Sequence, residues 1–196
     1  MYRRTVLTSI TFFVLSCAVM AQAPVLPELA VFESRLGQYV DMHRRLEGPL
    51  SPLAAAPDMD EVHRLMDALR ARIKAERRDQ GQGYLFMPAM IELVRARLAG
   101  CLTPKHMSEA MADIDEHTPP DMAPLRVNDP LPEDAPFGMI PPEALRMLPR
   151  LPPELRYVVL SKALVIWDHH ADLVVDIAPG VFDAATYQNI VKNNDN

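Results

Sequence analysis

Apolar residues recur at helical spacing from residue 27 to 47, where Leu29, Phe32, Leu36, Tyr39, Val40, His43 and Leu46 fall near one stripe. Gly48-Pro49 ends that helix, and the Pro/Ala-rich stretch up to Pro57 reads as a connection. A second helix follows, with Asp58 placed to cap its first turn and Glu61 three positions on, in capping-box spacing. Val62, Leu65, Met66, Leu69 and Ile73 form its apolar stripe. Arg64, Arg70, Lys74, Arg77 and Arg78 cover much of the rest, and Gly81 closes it. Pro88 opens a third helix over 88–99, with Met90, Ile91, Val94 and Leu98 inward and Gly100 as its stop. Thr103-Pro104 is a cap-and-start pair for a fourth over 104–116, where Met107, Met111 and Ile114 face in. The methionines read as flexible core fillers rather than soft-metal ligands.

The pattern changes at Pro119, since eleven of the 35 residues from 119 to 153 are proline. Each proline removes a backbone donor and fixes one dihedral, so long helices and central strands are excluded there. Residues 141–148, PPEALRML, allow one short helix. Leu125, Val127, Leu131, Phe137, Met139 and Ile140 favour a packed wrap over a disordered linker. Three runs rich in Val, Ile, Leu, Tyr and Trp follow, at 156–160, 163–167 and 172–178, separated by short polar turns. They predict a three-stranded antiparallel meander. Alternation on the last strand sends Leu173, Val175 and Ile177 to one face and Asp172, Val174 and Asp176 to the other. The reading is an α+β fold: an amino-terminal bundle of about four helices, a Pro-rich wrapping segment and a carboxy-terminal meander. Residues 22–180 form a single domain and 181–196 a flexible tail.

The remaining apolar run, 5–20, is preceded by Arg3 and Arg4 and followed by Ala21-Gln22-Ala23 and Pro24. That is the order of a secretory signal peptide, with Val19 and Ala21 small enough for cleavage after Ala21. The run is too short and too weakly flanked for a membrane span. A lipid anchor on Cys17, behind Val14-Leu15-Ser16, is the second reading. The mature chain is thus periplasmic or extracellular, without a transmembrane helix. Losing Arg3 and Arg4 takes the net charge from −6 to −8. No Lys/Arg block is left to mark a nucleic-acid patch. Of two cysteines only Cys101 survives, so no internal disulfide forms. Its neighbours Ala99, Gly100 and Leu102 favour a buried, inert thiol over a nucleophile.

Candidate chemistry is sparse. Asp168-His169-His170-Ala171-Asp172 gathers imidazoles and carboxylates around one turn, side chains able to hold Zn²⁺ or another divalent transition metal. Adjacent side chains diverge, and the competing reading is a polar turn in which Asp168 or Asp172 bonds its own backbone. His43 and Glu47, four apart, share a helix face that Asp41 does not, and read as a local surface pair. Asp113, Asp115, Glu116 and His117 read as a helix end. Arg126, Asn128 and Asp129, in a proline-fixed loop, combine a charged fork, an amide and a carboxylate suited to ligand recognition. They serve equally well to satisfy carbonyls as the chain crosses the fold.

Three stretches carry a family resemblance: FESRLGQYVDMHRRLEGPLSPL at 32–53, LRVNDPLPEDAP at 125–136 and LPRLPPELRYVVLSKALVIWDHHADLVVDIAP at 148–179. With weaker similarity over 61–98, the mature chain resembles a family of exported bacterial proteins that has no assigned activity. The resemblance implies helices at the front and a β-rich ending, and transfers no catalytic residue. The sequence departs from the family pattern at Ser161-Lys162-Ala163, where Gly-Arg-Asp is usual, and at His169-His170, where an apolar and an acidic residue are usual. The expected function is a non-catalytic envelope module for protein interaction or self-association, with no cofactor. The alternative is a small exported hydrolase, metal-dependent through the 168–172 turn.

Overall fold

The computed structural model describes residues 26–101, 112, 124–132, 140 and 142–183. The leader, nearly all of the predicted 104–116 helix, the Asp113–His117 cluster's positions and residues 184–196 lie outside that set. Four α-helices and three strands are present among the described residues, an α+β arrangement: α1 Pro27–Glu47, α2 Met59–Glu76, α3 Pro88–Ala99, α4 Pro142–Met147, β1 Leu155–Leu160, β2 Ala163–Asp168 and β3 Leu173–Ala178. One 3₁₀ turn, Leu53–Ala55, bridges α1 and α2. Proline opens α1 and α3, where its missing N–H is no loss. At α2 the Asp58 carboxylate accepts the Glu61 N–H at 2.8 Å, closing the cap its spacing promised.

The sheet has the order β1-β2-β3 with both pairs antiparallel. One face packs on the helices. Phe32, Leu36 and Val40 of α1, Leu69 and Ile73 of α2, and Met90, Val94 and Leu98 of α3 are buried with Leu155, Val159, Leu164, Ile166 and Leu173. Each fully buried side chain of this size contributes about 1.5–3 kcal/mol. The other face carries Val165, Val174 and Ile177, packed by Leu125, Val127 and Leu131 from the Pro-rich region. Two backbone bonds hold that segment on β3: Asn128 N–H to the Val174 carbonyl (2.8 Å) and Val174 N–H to the Asp129 carbonyl (2.9 Å).

Strict alternation along β3 fails at one point. Trp167 pairs with Val174 and Ile166 with Asp176, so Val175 is an extra residue, a β-bulge. Beyond it the faces exchange, and Ile177 lies with Val174 instead of with Leu173. Asp176 therefore turns to the helix side. Its Oδ1 accepts the N–H groups of Gly83 (2.8 Å) and Ile177 (2.9 Å), and its Oδ2 those of Leu85 (2.6 Å) and Phe86 (2.8 Å). The α2–α3 connection is thereby tied to the sheet.

Arg77, expected on the polar face of the second helix, is fully buried. It caps α2 rather than continuing it, and its guanidinium lies 5.0 Å from the Tyr39 ring centre while Nη2 donates to the Val175 carbonyl at 2.8 Å. The buried core also runs past residue 180. Val181 and Phe182 are inside it, and Phe182 N–H bonds the Lys162 carbonyl at 3.1 Å. No helix among the described residues is long and apolar enough to cross a membrane.

Candidate functional site

The β2–β3 turn is built on Asp168, the last residue of β2 and fully buried. Its Oδ1 accepts the backbone N–H groups of His170 and Ala171, both at 3.1 Å, which fixes the turn. Its Oδ2 faces α1, where it accepts the Tyr39 hydroxyl and His43 Nδ1–H, each at 2.6 Å. Four donors thus share one carboxylate. Burial, then the adjacent Asp168 charge, push the Tyr39 hydroxyl well above its ordinary pKa, so it stays a donor.

Asp168 can only accept from Nδ1 of His43, which leaves Nε2 pointing at Glu47, one helical turn on, at 3.2 Å. From the turn, His170 Nδ1 reaches the other Glu47 oxygen at 2.8 Å. The His43 and His170 rings lie 5.6 Å apart, centre to centre. One ligand atom from each of His43, Glu47 and His170 lies within 4.8 Å of those of the other two. Burial alone lowers the His43 pKa, but bonds to Asp168 and Glu47 outweigh it and the net direction is upward. A cation at this point would be held by His43 Nε2, Glu47 and His170, with the Nδ1–Asp168 bond as the carboxylate–histidine support found behind metal-bound imidazoles.

A cleft of about 490 Å³ opens beside Glu47 and His170, bounded by Arg44, Gly48, Leu50 and Leu53. Arg44 Nε pairs with Glu154 Oε1 at 2.6 Å, while Glu154 Oε2 is buried without a hydrogen-bond partner among the described residues. Burial alone raises the Glu154 pKa, and the Arg44 bond outweighs it, so the carboxyl sits below its usual range.

The four residues of the sequence-derived metal set do not meet at one point. Asp168 supports His43 instead of facing the cleft. His169 turns the other way, with Nε2 2.8 Å from the Pro153 carbonyl. Asp172, at φ 44°, accepts the Trp167 indole N–H (3.1 Å) and Arg70 Nη2 (3.1 Å). Of the four, His170 is the one that joins the cluster with His43 and Glu47 of α1. In the second candidate set, Asn128 Nδ2 donates to the Gln80 carbonyl at 3.2 Å, Asp129 pairs with Lys74 at 3.0 Å, and the Arg126 side chain is exposed. Asn128 and Asp129 are thus engaged separately. Cys101 is half-buried, its Sγ 3.3 Å from the Leu98 carbonyl.

In the sequence the His43/Glu47 spacing and the His170 turn stand as unrelated features. Tyr39 and Arg77, which brace Asp168 from behind, were missed. Tyr39 fitted the core stripe, and Arg77 the polar face. The chain matches no protein-family model, no curated protein and no solved structure.

Proposed function

We propose that this chain is an exported protein, periplasmic or extracellular, that binds a divalent transition-metal ion of the Zn²⁺ class through His43, Glu47 and His170. The observation carrying this reading is their convergence: three ligand atoms within 4.8 Å, from a helix and a distant turn, with one imidazole held by a buried carboxylate. Two nitrogens and one carboxylate suit Zn²⁺, and three protein ligands with a neighbouring cleft belong to hydrolytic rather than structural sites. The bound ion would supply Lewis acidity and a lowered pKa for a ligated water. This draws the reading toward the exported, metal-dependent hydrolase, with His170 as the contribution of the 168–172 turn. The scaffold we assign to it is a bundle of about four helices, wrapped by the Pro-rich segment and released after Ala21. The resemblance to exported bacterial proteins without assigned activity fits that address.

Competition of the full chain, purified after export, with a chromogenic chelator for Zn²⁺ tests the proposal. One ion per chain is expected, with at least about tenfold weaker binding in Glu47→Gln and His170→Gln. His169→Gln is expected to match the parent. Absence of Zn²⁺ binding, or equal losses from His169→Gln and His170→Gln, refutes it.

A second reading, a non-catalytic module for an envelope partner or for self-association, draws on α4. Leu145 and Met147 there are 49 % and 41 % exposed, beside a groove shared with Leu151 and Tyr157. A monomer by light scattering whose mass is unchanged by Leu145→Asp argues against self-association through this face.

A further inference from the structure

We infer that the cleft beside the His43–Glu47–His170 centre receives a monocarboxylate with a short apolar tail, its carboxylate taking the ion's free position. The inference rests on the metal-binding reading above. Its first support is charge. A divalent ion with Glu47 as its only anionic ligand leaves the inner sphere at +1, and Asp168 behind His43 places a further negative charge nearby. Arg44 adds little net charge, because Glu154 pairs with it at 2.6 Å. The inner sphere balances one added negative charge and Asp168 disfavours a second, so a carboxylate fits and a phosphate dianion does not. Arg44 commits Nε to Glu154, and among the described residues the two terminal nitrogens of its planar fork remain for the second oxygen of a carboxylate.

The second support is the opposite wall. Between the end of α1 and the start of α2 the chain offers Leu50, Pro52, Leu53 and Ala54 to the cleft, a run without a charge. Leu50 and Leu53 are half-buried and present their free surface there. A cleft of about 490 Å³ is within the range that holds small organic ligands. Metal and guanidinium at one end and an aliphatic wall at the other describe an amphiphile: a short fatty acid, or an acyl product of ester or amide cleavage.

The experiment is calorimetric titration of the Zn²⁺-loaded full chain with acetate, hexanoate and inorganic phosphate. Each buried methylene strengthens binding by up to about fourfold. Four added methylenes in a half-open cleft are therefore expected to make hexanoate at least about tenfold tighter than acetate, with phosphate weaker than either. Leu53→Asn is expected to erase the chain-length gain while Zn²⁺ and acetate binding persist, and Leu50→Asn serves the same end should Leu53→Asn fail to fold. Normal Zn²⁺ binding with hexanoate no tighter than acetate, or with phosphate the tightest, overturns this inference and leaves the metal site standing. Failure to bind Zn²⁺ in the prior chelator competition overturns both.

Discussion

Replacing Asp168 by Asn removes one charge and one acceptor, and the structure dictates how the new amide must sit. The Oδ1 side faces two backbone donors, His170 N–H and Ala171 N–H, so the amide oxygen stays there. The amide nitrogen then takes the Oδ2 position, against the Tyr39 hydroxyl and His43 Nδ1. Both of those atoms can accept. The hydroxyl rotates, and His43 moves its proton from Nδ1 to Nε2. The fold survives, at a loss of about 1–3 kcal/mol for exchanging charge-assisted bonds for neutral ones. The proposed metal site would not survive unchanged, because Nε2, the nitrogen facing Glu47, would then bear a proton. Loss of a carboxylate behind a metal-bound imidazole weakens metal affinity by about 10- to 100-fold, or about 1.4–2.7 kcal/mol. Chelator competition measures the affinity, urea denaturation the stability, and long-range ¹H–¹⁵N NMR the position of the His43 proton. An Asp168→Asn protein that is folded, keeps Nε2 unprotonated and binds Zn²⁺ within threefold of the parent would refute the reasoning.

Asp176→Asn is expected to be harsher on folding, because each carboxylate oxygen already accepts two N–H groups and either amide orientation sets its NH₂ against two backbone donors. About 3–5 kcal/mol should be lost in denaturant melts, and a change under 1 kcal/mol contradicts the assignment. Glu154, with its pKa held down in the folded state, contributes stability above the ordinary carboxylate range that fades as pH falls through its folded value. Arg44→Gln should therefore begin acid unfolding at a higher pH, and its deficit against the parent should shrink at the acid end; a pH-independent deficit would assign Arg44 a packing role. Burial, then the Glu143 carboxylate, raise the Cys101 thiol, so its reaction with a disulfide reagent near pH 8 should be slower than that of a free cysteine. A rate equal to or above that of free cysteine would show an activated thiol instead.

The local elements were legible because their signals are local. Pro27 and Pro88 at helix starts, the Asp58 cap and the apolar runs of the meander place α1, α2, α3 and the three strands within a residue or two, apart from the end of α2. Gly81 looked like its stop, yet the helix closes at Glu76 because Arg77 turns inward to meet Tyr39 and Val175. The site was legible only in halves. His43–Glu47 is a spacing, and any reader of helices finds it. Its meeting with His170, 123 positions from Glu47, depends on how the hairpin lies across α1, which no local pattern encodes. Alternation also misassigned Asp176 and Ile177, since a bulge leaves no mark in a run of Leu, Val and Ile.

That bulge has a consequence at a distance. Without Val175 the strand would alternate in perfect register, so the residue adds nothing to the pleat; what it adds is a carbonyl outside the ladder, and this carbonyl receives Arg77 Nη2. Arg77 then presses on the Tyr39 ring, Tyr39 on Asp168, and Asp168 on His43. The irregular point of the sheet thus anchors a polar spine that ends at the His–Glu–His cluster. A deletion at Val175 would straighten the strand and cut that spine at its root, though it lies outside the cleft and is none of the three cluster residues.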